Sequence, residues 1–142
     1  MQPKNILLVE DNEGDILLTL EGLQESNKDH KVEVVKDGKA AIDYLNRIGE
    51  YANANSPDLI LLDINLPKKT GIEVLKYIKT SEVLKHIPVI MLTTSSSTND
   101  IRQAYLNYSN CYITKPVEAD DFIKAVNEID NFWTGLVSLK PV

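Results

Sequence analysis

The chain has 142 residues with a formal net charge of −6, and 43% of its residues are hydrophobic. This acidic balance argues against a nucleic-acid-binding module, which needs a basic face for phosphates. The single cysteine cannot form an internal disulfide, and no apolar run approaches the ~20 residues of a membrane span or resembles a signal peptide. We therefore expect one soluble, cytoplasmic domain that can bury a full core.

Five short apolar runs alternate along the chain with amphipathic stretches. Several runs are apolar on consecutive residues, as in strands that are covered on both faces. The runs are ILLV (6–9), VEVV (32–35), LILLD (59–63), IPVIMLTT (87–94) and CYIT (111–114). Strand followed by helix, five times over, predicts a parallel sheet with helices on both faces and right-handed crossovers.

The stretches between the runs carry apolar residues at helical spacing. In the fourth helix the expected buried face holds Ile101, Ala104, Tyr105 and Tyr108. In the fifth it holds Phe122, Val126, Ile129 and Trp133. The sequence contains no internal repeat or linker, which indicates one domain.

Chemically reactive side chains follow or end four of the five predicted strands. The strands end in Glu10-Asp11, Asp63, Thr93-Thr94 and Lys115-Pro116. The carboxyl ends of parallel strands meet at the edge where such sheets bind ligands. If the first and third strands are neighbours, three carboxylates therefore lie within a few ångströms of one another.

Three carboxylates in a small space repel one another unless a cation lies between them. A hard divalent ion with oxygen ligands, Mg²⁺ above all, fits such a site. An aspartate beside a metal, a lysine and a hydroxyl can act as a nucleophile and form an aspartyl phosphate. Taken singly, the residues could be helix-terminal acids, a turn cap and a surface lysine, but their convergence at one sheet edge favours a site.

These motifs resemble the receiver domain of two-component response regulators over residues 4–132. The strings that carry the resemblance are LLVEDN, LLDINLPKKTG, VIMLTT and CYITKP. The resemblance implies a flavodoxin-like (βα)5 doubly wound sheet with strand order 2-1-3-4-5. It also implies a receiver domain over residues 1–132, followed by an apolar tail over residues 133–142.

The resemblance assigns the metal site and the phosphoacceptor. Asp63 is expected to accept the phosphoryl group. Asp11 and Asp63 are expected to bind Mg²⁺ through their side chains, and Asn65 through its backbone carbonyl. Glu10 stands where aspartate is commoner in the family, so its contact with the metal is expected to pass through water.

The resemblance also assigns the residues that respond to phosphorylation. Lys115 is expected to bond a phosphoryl oxygen, and its peptide bond to Pro116 is expected to be cis. Thr93 and Tyr112 are expected to switch the face formed by the fourth helix, the fifth strand and the fifth helix. Thr94 is larger than the residue often found there, and we expect its bulk to slow the entry of small phosphodonors or of water.

The implied function is a stand-alone receiver that takes a phosphoryl group from a sensor histidine kinase and signals to a protein partner or relay. It is not expected to be an enzyme with a diffusible substrate, although it would assist its own phosphorylation and dephosphorylation. No output domain is expected after the fifth helix. The strings NLPKKTG, NCYITKP and NFWTGLVSL further resemble regulators that are paired with cyanobacterial and bacterial phytochromes.

Two alternatives share parts of this pattern. A phosphatase of the haloacid dehalogenase type needs a second acid two residues after its nucleophile, where this chain has Asn65. A flavodoxin-like FMN carrier needs a phosphate loop rich in glycine and hydroxyl residues after the first strand, where this chain has EDNEGD. Acids repel a phosphate unless a metal stands between them.

Other residues receive simpler predictions. His30 and His86 are expected on the surface, and Cys111 is expected to be a small core residue. The chain has a surplus of apolar residues near its C-terminus, namely Phe132, Trp133, Leu136, Val137 and Leu139. This tail either folds back on its own domain or forms a homodimer contact, which the resemblance to phytochrome regulators favours.

Overall fold

The computed structural model describes residues 3–141. The strands are β1 (Asn5–Val9), β2 (Lys31–Val35), β3 (Leu59–Leu62), β4 (Val89–Thr93) and β5 (Cys111–Thr114). The α-helices are α1 (Glu13–Gln24), α2 (Gly38–Leu45), α3 (Gly71–Lys79), α4 (Thr98–Leu106) and α5 (Ala119–Asp130). A 3-10 turn spans Gly49–Tyr51, and a π-helix over Asn131–Leu136 continues directly from α5. Within residues 3–141, none of the helices is both long and apolar enough to cross a membrane.

The five strands form one parallel sheet in the order β2-β1-β3-β4-β5, which confirms the predicted fold class and strand order. Val9 at the end of β1 pairs with Leu62 at the end of β3. The chain order reverses between these two neighbours, and such switch points are where open parallel sheets bind ligands. The residues that follow β1 and β3 therefore lie side by side at the carboxyl edge of the sheet.

The two faces of the sheet carry separate cores. Alternate residues of β1 point to opposite faces, so that Leu7 packs in one core and Leu8 in the other. Helices α2 and α3 cover the first face, whereas α1 and α5 cover the second. Every residue of β3 and β4 is buried, which explains why their sequences are apolar without alternation. Each large aliphatic side chain buried in this way contributes about 1.5–3 kcal/mol of transfer free energy.

The expected buried face of α4 is wrong in part. Ala104 is fully buried, but Tyr105 is 50% exposed and Tyr108 is 75% exposed. Tyr108 lies beyond the last residue of α4 and has a positive φ of 67°, so it does not share the helical face. The predicted face is therefore wrong at Tyr105, which lies within the helix but is half exposed, and at Tyr108, which lies beyond the helix end.

Two glycines hold the loop that follows β3. A Cβ atom on Gly71 would lie 2.0 Å from the Asp63 carbonyl oxygen, and one on Gly38 would lie 2.1 Å from the Lys69 carbonyl oxygen. Both glycines also donate hydrogen bonds to this loop. The Gly71 N–H donates to the Ile64 carbonyl at 2.8 Å, and the Gly38 N–H donates to the Pro67 carbonyl at 3.2 Å. The start of α2 and the start of α3 therefore press directly against the backbone of this loop.

The predicted cis peptide bond is wrong, since the bond between Lys115 and Pro116 is trans. The trans form of such a bond is favoured by only about 0.5–1 kcal/mol, so a sequence motif constrains it weakly. The N–H of Lys115 donates to the Thr93 carbonyl at 2.8 Å, which continues the β4–β5 pairing up to the proline. Of the other simple predictions, His86 is exposed as expected, and Cys111 packs half-buried against the second core.

Candidate functional site at the carboxyl edge of the sheet

The backbone of the sheet fixes the two central acids of the site. The N–H of Glu10 donates to Val35 at 3.0 Å, and the N–H of Asp63 donates to Val9 at 3.1 Å. Both residues therefore extend the sheet by one step and are held by neighbouring strands. Glu10 is 2% exposed and Asp63 is 6% exposed, so two carboxylates are buried at the switch point.

Lys115 lies at the centre of these acids with its side chain only 3% exposed. Its Nζ atom lies 2.5 Å from Glu10 Oε1, 2.8 Å from Asp15 Oδ2 and 3.3 Å from Asp63 Oδ2. An ammonium group has three N–H donors, so these three carboxylates engage all of them. Glu10, Asp15, Asp63 and Lys115 are called the Lys115 cluster below.

The two carboxylate oxygens of Asp63 have different surroundings. Oδ1 accepts a hydrogen bond from the N–H of Ile64 at 2.7 Å and a longer one from Asn65 at 3.5 Å. Oδ2 faces Lys115. The backbone of the loop therefore sets the orientation of the carboxylate, and no backbone N–H within residues 3–141 bonds the oxygen beside the lysine.

The acids of this edge form a set of metal ligands. Glu10, Asp11 and Asp63 each place a carboxylate oxygen within 4.8 Å of the other two. Asp11 is exposed, so the group opens to solvent on that side. With Asp15 the site has four acids and one lysine, which leaves three negative charges when all are ionised. Hard oxygen ligands with excess negative charge fit a divalent cation such as Mg²⁺ or Mn²⁺.

Burial and charge shift the protonation of two groups in the site. Desolvation raises the pKa of Glu10 to about 7, with repulsion from Asp63 adding to it and the bond from Lys115 opposing it. Burial would lower the pKa of Lys115, but its bonds to Asp15 and Glu10 raise the pKa above the ordinary value. At neutral pH the lysine is therefore charged, while Glu10 holds a proton in part of the molecules until a cation binds.

The two expected switch residues meet at a residue that the sequence did not single out. Thr93 is fully buried at the end of β4, and its Oγ1 accepts the N–H of Ser95 at 3.3 Å. The hydroxyl of Tyr112 donates to the Ser95 carbonyl at 2.8 Å. The Ser95 hydroxyl in turn donates to Asp100 in α4 at 2.6 Å. Ser95 thus links both residues to the helix that follows.

Asp15 is a second site residue that the sequence analysis missed. It lies in the first turn of α1, a position where the helix dipole alone favours an acid. The structure brings it to Lys115, one hundred residues away in the chain. The one available signal was its place in the first helical turn after an acidic strand end.

The response regulator receiver domain is the family whose model matches residues 6–127 of this chain. The chain belongs to this family. It is 47% identical to response regulator Rcp1 of Synechocystis sp. over 137 residues, which covers 96% of this chain and 93% of Rcp1. This membership supports the receiver interpretation over the phosphatase and the flavin carrier, and it places the chain in two-component signalling.

Two solved structures are similar over almost the full length. The Mn²⁺-bound form of Rcp1 matches with a TM-score of 0.94 at 47% identity, covering 98% of this chain and 100% of Rcp1. The phosphorylated cyanobacterial phytochrome response regulator RcpA matches with a TM-score of 0.95 at 48% identity, covering 98% of this chain and 99% of RcpA. The chain therefore resembles phytochrome response regulators, as its motifs indicated.

A second buried charge lies at the opposite, amino edge of the sheet. Asp130, at the end of α5, is 0% exposed and accepts hydrogen bonds from Ser26, from Thr134 at 2.6 Å and from His30 at 2.8 Å. Lys28 lies 3.8 Å away. Burial would raise the pKa of Asp130, but the bonds from Ser26, Thr134 and His30 hold it below its usual range. Ser26, His30, Asp130 and Thr134 are called the Asp130 cluster below.

The expectation that His30 lies on the surface is wrong. Its side chain is 2% exposed, and Nδ1 accepts the N–H of Lys4 at 2.9 Å. Because Nδ1 is an acceptor, the neutral ring carries its proton on Nε2, which donates to Asp130. The sequence offered no partner for this histidine because the partner lies one hundred residues further along.

Proposed function

We propose that Asp63 accepts a phosphoryl group from a phosphohistidine of a sensor histidine kinase, with Mg²⁺ bound at the acidic edge. The observation that carries this proposal is the geometry of one oxygen. Asp63 Oδ2 lies 3.3 Å from the buried ammonium of Lys115, next to two further carboxylates that can share a cation. The Mn²⁺-bound form of Rcp1 and the phosphorylated form of RcpA support it by similarity.

In this proposal the metal is held by the residues that the family resemblance implies. Asp11 and Asp63 bind it through their side chains, Asn65 through its backbone carbonyl and Glu10 through water. A bound divalent cation offsets the repulsion between these acids and the oxygens of an incoming phosphoryl group. Oxygen ligands and a partly open position beside Asp11 suit Mg²⁺, which keeps several waters when it binds to proteins.

The transfer itself exchanges one bond to phosphorus for another. Asp63 Oδ2 forms a bond to phosphorus while the bond between phosphorus and the imidazole nitrogen breaks. The electron pair stays on that nitrogen, which takes a proton from solvent. The N–H of Ile64 holds Oδ1 so that Oδ2 keeps its orientation. Lys115 then donates to a phosphoryl oxygen and offsets the charge that develops there.

The phosphorylated site is read through Thr93 and Tyr112. In the proposed switch, the Thr93 hydroxyl turns from the N–H of Ser95 to a phosphoryl oxygen. Movement of Ser95 then alters its bond with Tyr112 and its bond with Asp100. The surface formed by α4, β5 and α5 changes as a result, and a protein partner or a relay component binds the changed surface.

The proposal is tested by intact-mass spectrometry after incubation with acetyl phosphate and Mg²⁺. The wild type is expected to gain one phosphoryl group, and Asp63→Asn or chelation of the metal is expected to abolish the gain. Asp43→Asn is the matched control, since Asp43 lies in α2 and pairs with Lys39 away from the site. An unmodified wild type, or a modified Asp63→Asn variant, would overturn the assignment.

The kinase is proposed to be a phytochrome because RcpA is named as a phytochrome response regulator and shares 48% identity over 98% of this chain. Phosphotransfer from a purified phytochrome histidine kinase is expected to be faster than transfer from an unrelated sensor kinase. Equal rates from the two kinases would contradict the pairing. Both assays use the same wild-type chain, so they report the choice of kinase alone.

A homodimer through the apolar C-terminal residues is also proposed, with residues 1–132 as the receiver and residues 133–142 as the tail. Phe132 is 49% exposed and Leu136 is 76% exposed, although both lie in the π-helix that continues α5. Apolar side chains left exposed in one region indicate an interface. Leu136→Ser is expected to shift the wild type from dimer to monomer in sedimentation analysis, with exposed Val83→Ser as the control. A monomeric wild type would exclude the dimer.

A further inference from the structure

Asp15 has no place in the proposed metal site. Its Oδ2 accepts from Lys115 Nζ at 2.8 Å. Among the described residues, the group of acids that could share a cation consists of Glu10, Asp11 and Asp63. Asp15 therefore acts on the lysine, in a cluster whose other two acids also serve the metal.

The backbone of Asp15 is fixed by the start of α1. Its N–H donates to the Asn12 side chain at 2.9 Å, and its carbonyl accepts from the Thr19 hydroxyl at 2.7 Å. The Asp15 side chain is 24% exposed, whereas that of Lys115 is 3% exposed. The acid thus reaches inward from a rigid helical turn to a buried ammonium group.

The count of donors on Lys115 sets up a competition. Glu10, Asp15 and Asp63 engage all three N–H groups of the lysine in this structure. A phosphoryl oxygen on Asp63 also needs one of these donors. Glu10 holds the shortest of the three bonds, at 2.5 Å, and Asp63 itself carries the phosphoryl group. Phosphorylation frees the N–H that Asp63 Oδ2 holds at 3.3 Å, and release of the Asp15 bond would free a second N–H for the phosphoryl oxygens.

We propose that Asp15 is a positioning residue that competes with the phosphoryl group for Lys115. The inference rests on the proposed function of Asp63. Without a phosphoryl group, Asp15 directs one N–H of the lysine toward α1. Its negative charge also repels the phosphoryl oxygens, since the two sites share the same ammonium. Both effects disfavour the phosphorylated state relative to the unphosphorylated one.

Binding of beryllofluoride in the presence of Mg²⁺ tests the competition, with titration calorimetry and fluorine NMR as readouts. Asp15→Asn is expected to bind this phosphoryl analogue about threefold to tenfold more tightly than the wild type. Asp15→Glu keeps the carboxylate and is expected to stay within about twofold of the wild type. Glu13→Gln is the matched control, because it makes the same charge change in the same turn of α1, where Glu13 pairs with Lys36 instead.

The sign of the change separates competition from a structural role. Damage to the fold by Asp15→Asn would lower the melting temperature and weaken binding, whereas release of Lys115 strengthens binding with the melting temperature unchanged. Equal or weaker binding by Asp15→Asn overturns the inference, as does an equal gain in Glu13→Gln. A wild type that fails to bind beryllofluoride with Mg²⁺ overturns the proposed function and the inference together. A wild type that binds, beside an unchanged Asp15→Asn, overturns the inference alone.

Discussion

The Lys115 cluster and the Asp130 cluster both bury carboxylates, but they differ in how far those carboxylates are satisfied. At the amino edge, one acid accepts hydrogen bonds from three side chains, and its pKa is lowered. At the carboxyl edge, one lysine bonds three acids with a fourth nearby, and the pKa of Glu10 is raised to about 7. The carboxylate of Asp130 therefore has enough hydrogen-bond donors for its charge, whereas the acids around Lys115 have too few positive charges to balance theirs.

This difference separates a structural charge from a binding site. A buried charge that is fully hydrogen-bonded is not stabilised further by a ligand. Its role is to link the segments that supply its donors. An excess of like charge at a sheet edge is costly in the free protein, and that cost falls when a cation binds. The raised pKa of Glu10 and the lowered pKa of Asp130 report the same distinction.

The largest expected effect is on stability, and it contrasts the two clusters directly. Asp130→Ala is expected to lower the free energy of unfolding by about 3–5 kcal/mol, because the buried donors of Ser26, His30 and Thr134 would lose their acceptor. Asp63 is also buried, at 6% exposed, but Asp63→Asn removes a charge that neighbouring acids repel, so the free energy of unfolding is expected to stay unchanged or to rise. Urea denaturation without metal measures both, and a loss in Asp63→Asn as large as that in Asp130→Ala would contradict the contrast.

A smaller effect sharpens the electrostatic side of the comparison. The Glu10 pKa of about 7 lies above the ordinary 4.5, so Glu10 must lose a proton before it serves a cation. Protons compete with Mg²⁺ below that pKa, so the affinity is expected to be about tenfold weaker at pH 6 than at pH 8. Titration calorimetry at the two pH values measures this, with Glu10→Gln expected to remove the dependence. Equal affinity of the wild type at both values would show that Glu10 is ionised throughout.

The smallest expected effect concerns access to the two clusters. The Asp130 carboxylate is fully buried, whereas the acids at the carboxyl edge include exposed Asp11, and exposed Thr94 follows buried Thr93 at that edge. Thr94→Ala is expected to speed hydrolysis of the phosphorylated chain by roughly twofold to fivefold, a change of less than about 1 kcal/mol in the barrier. The decay of the phosphorylated mass measures the rate. An unchanged rate would show that Thr94 does not limit the entry of water.

The sequence was sufficient for most of the fold because the three central strands, β1, β3 and β4, are covered on both faces. Consecutive apolar residues such as Leu59–Leu62 cannot belong to a half-exposed strand, so the run predicts a parallel sheet. The acids at the ends of β1 and β3 could then be placed together from topology alone. The end of α4 could not be placed in the same way, because Tyr108 keeps the helical spacing but lies beyond the helix.

The contacts that the sequence did not reveal join distant elements through side-chain reach. His30 meets Asp130, and Asp15 meets Lys115, across a separation of 100 residues in each case. Each contact depends on the rotation of a helix about its axis, which a periodic pattern specifies only to within a face. Hydrophobic patterning therefore locates the sheet edge, but not every polar partner that reaches it.

The two glycines beneath the loop after β3 limit how this site can be moved between proteins. The segment from Asp63 to Gly71 contains the proposed phosphoacceptor, the N–H that bonds its Oδ1 atom, and the start of α3. Gly38 lies outside it, in α2, yet leaves no room for a Cβ atom against Lys69. A chimaera that receives this segment alone would keep the first α2 residue of the recipient protein. Any residue other than glycine there would place a Cβ atom against the grafted loop. Grafting the loop after β3 onto another receiver scaffold therefore requires both glycines, although they lie in different helices.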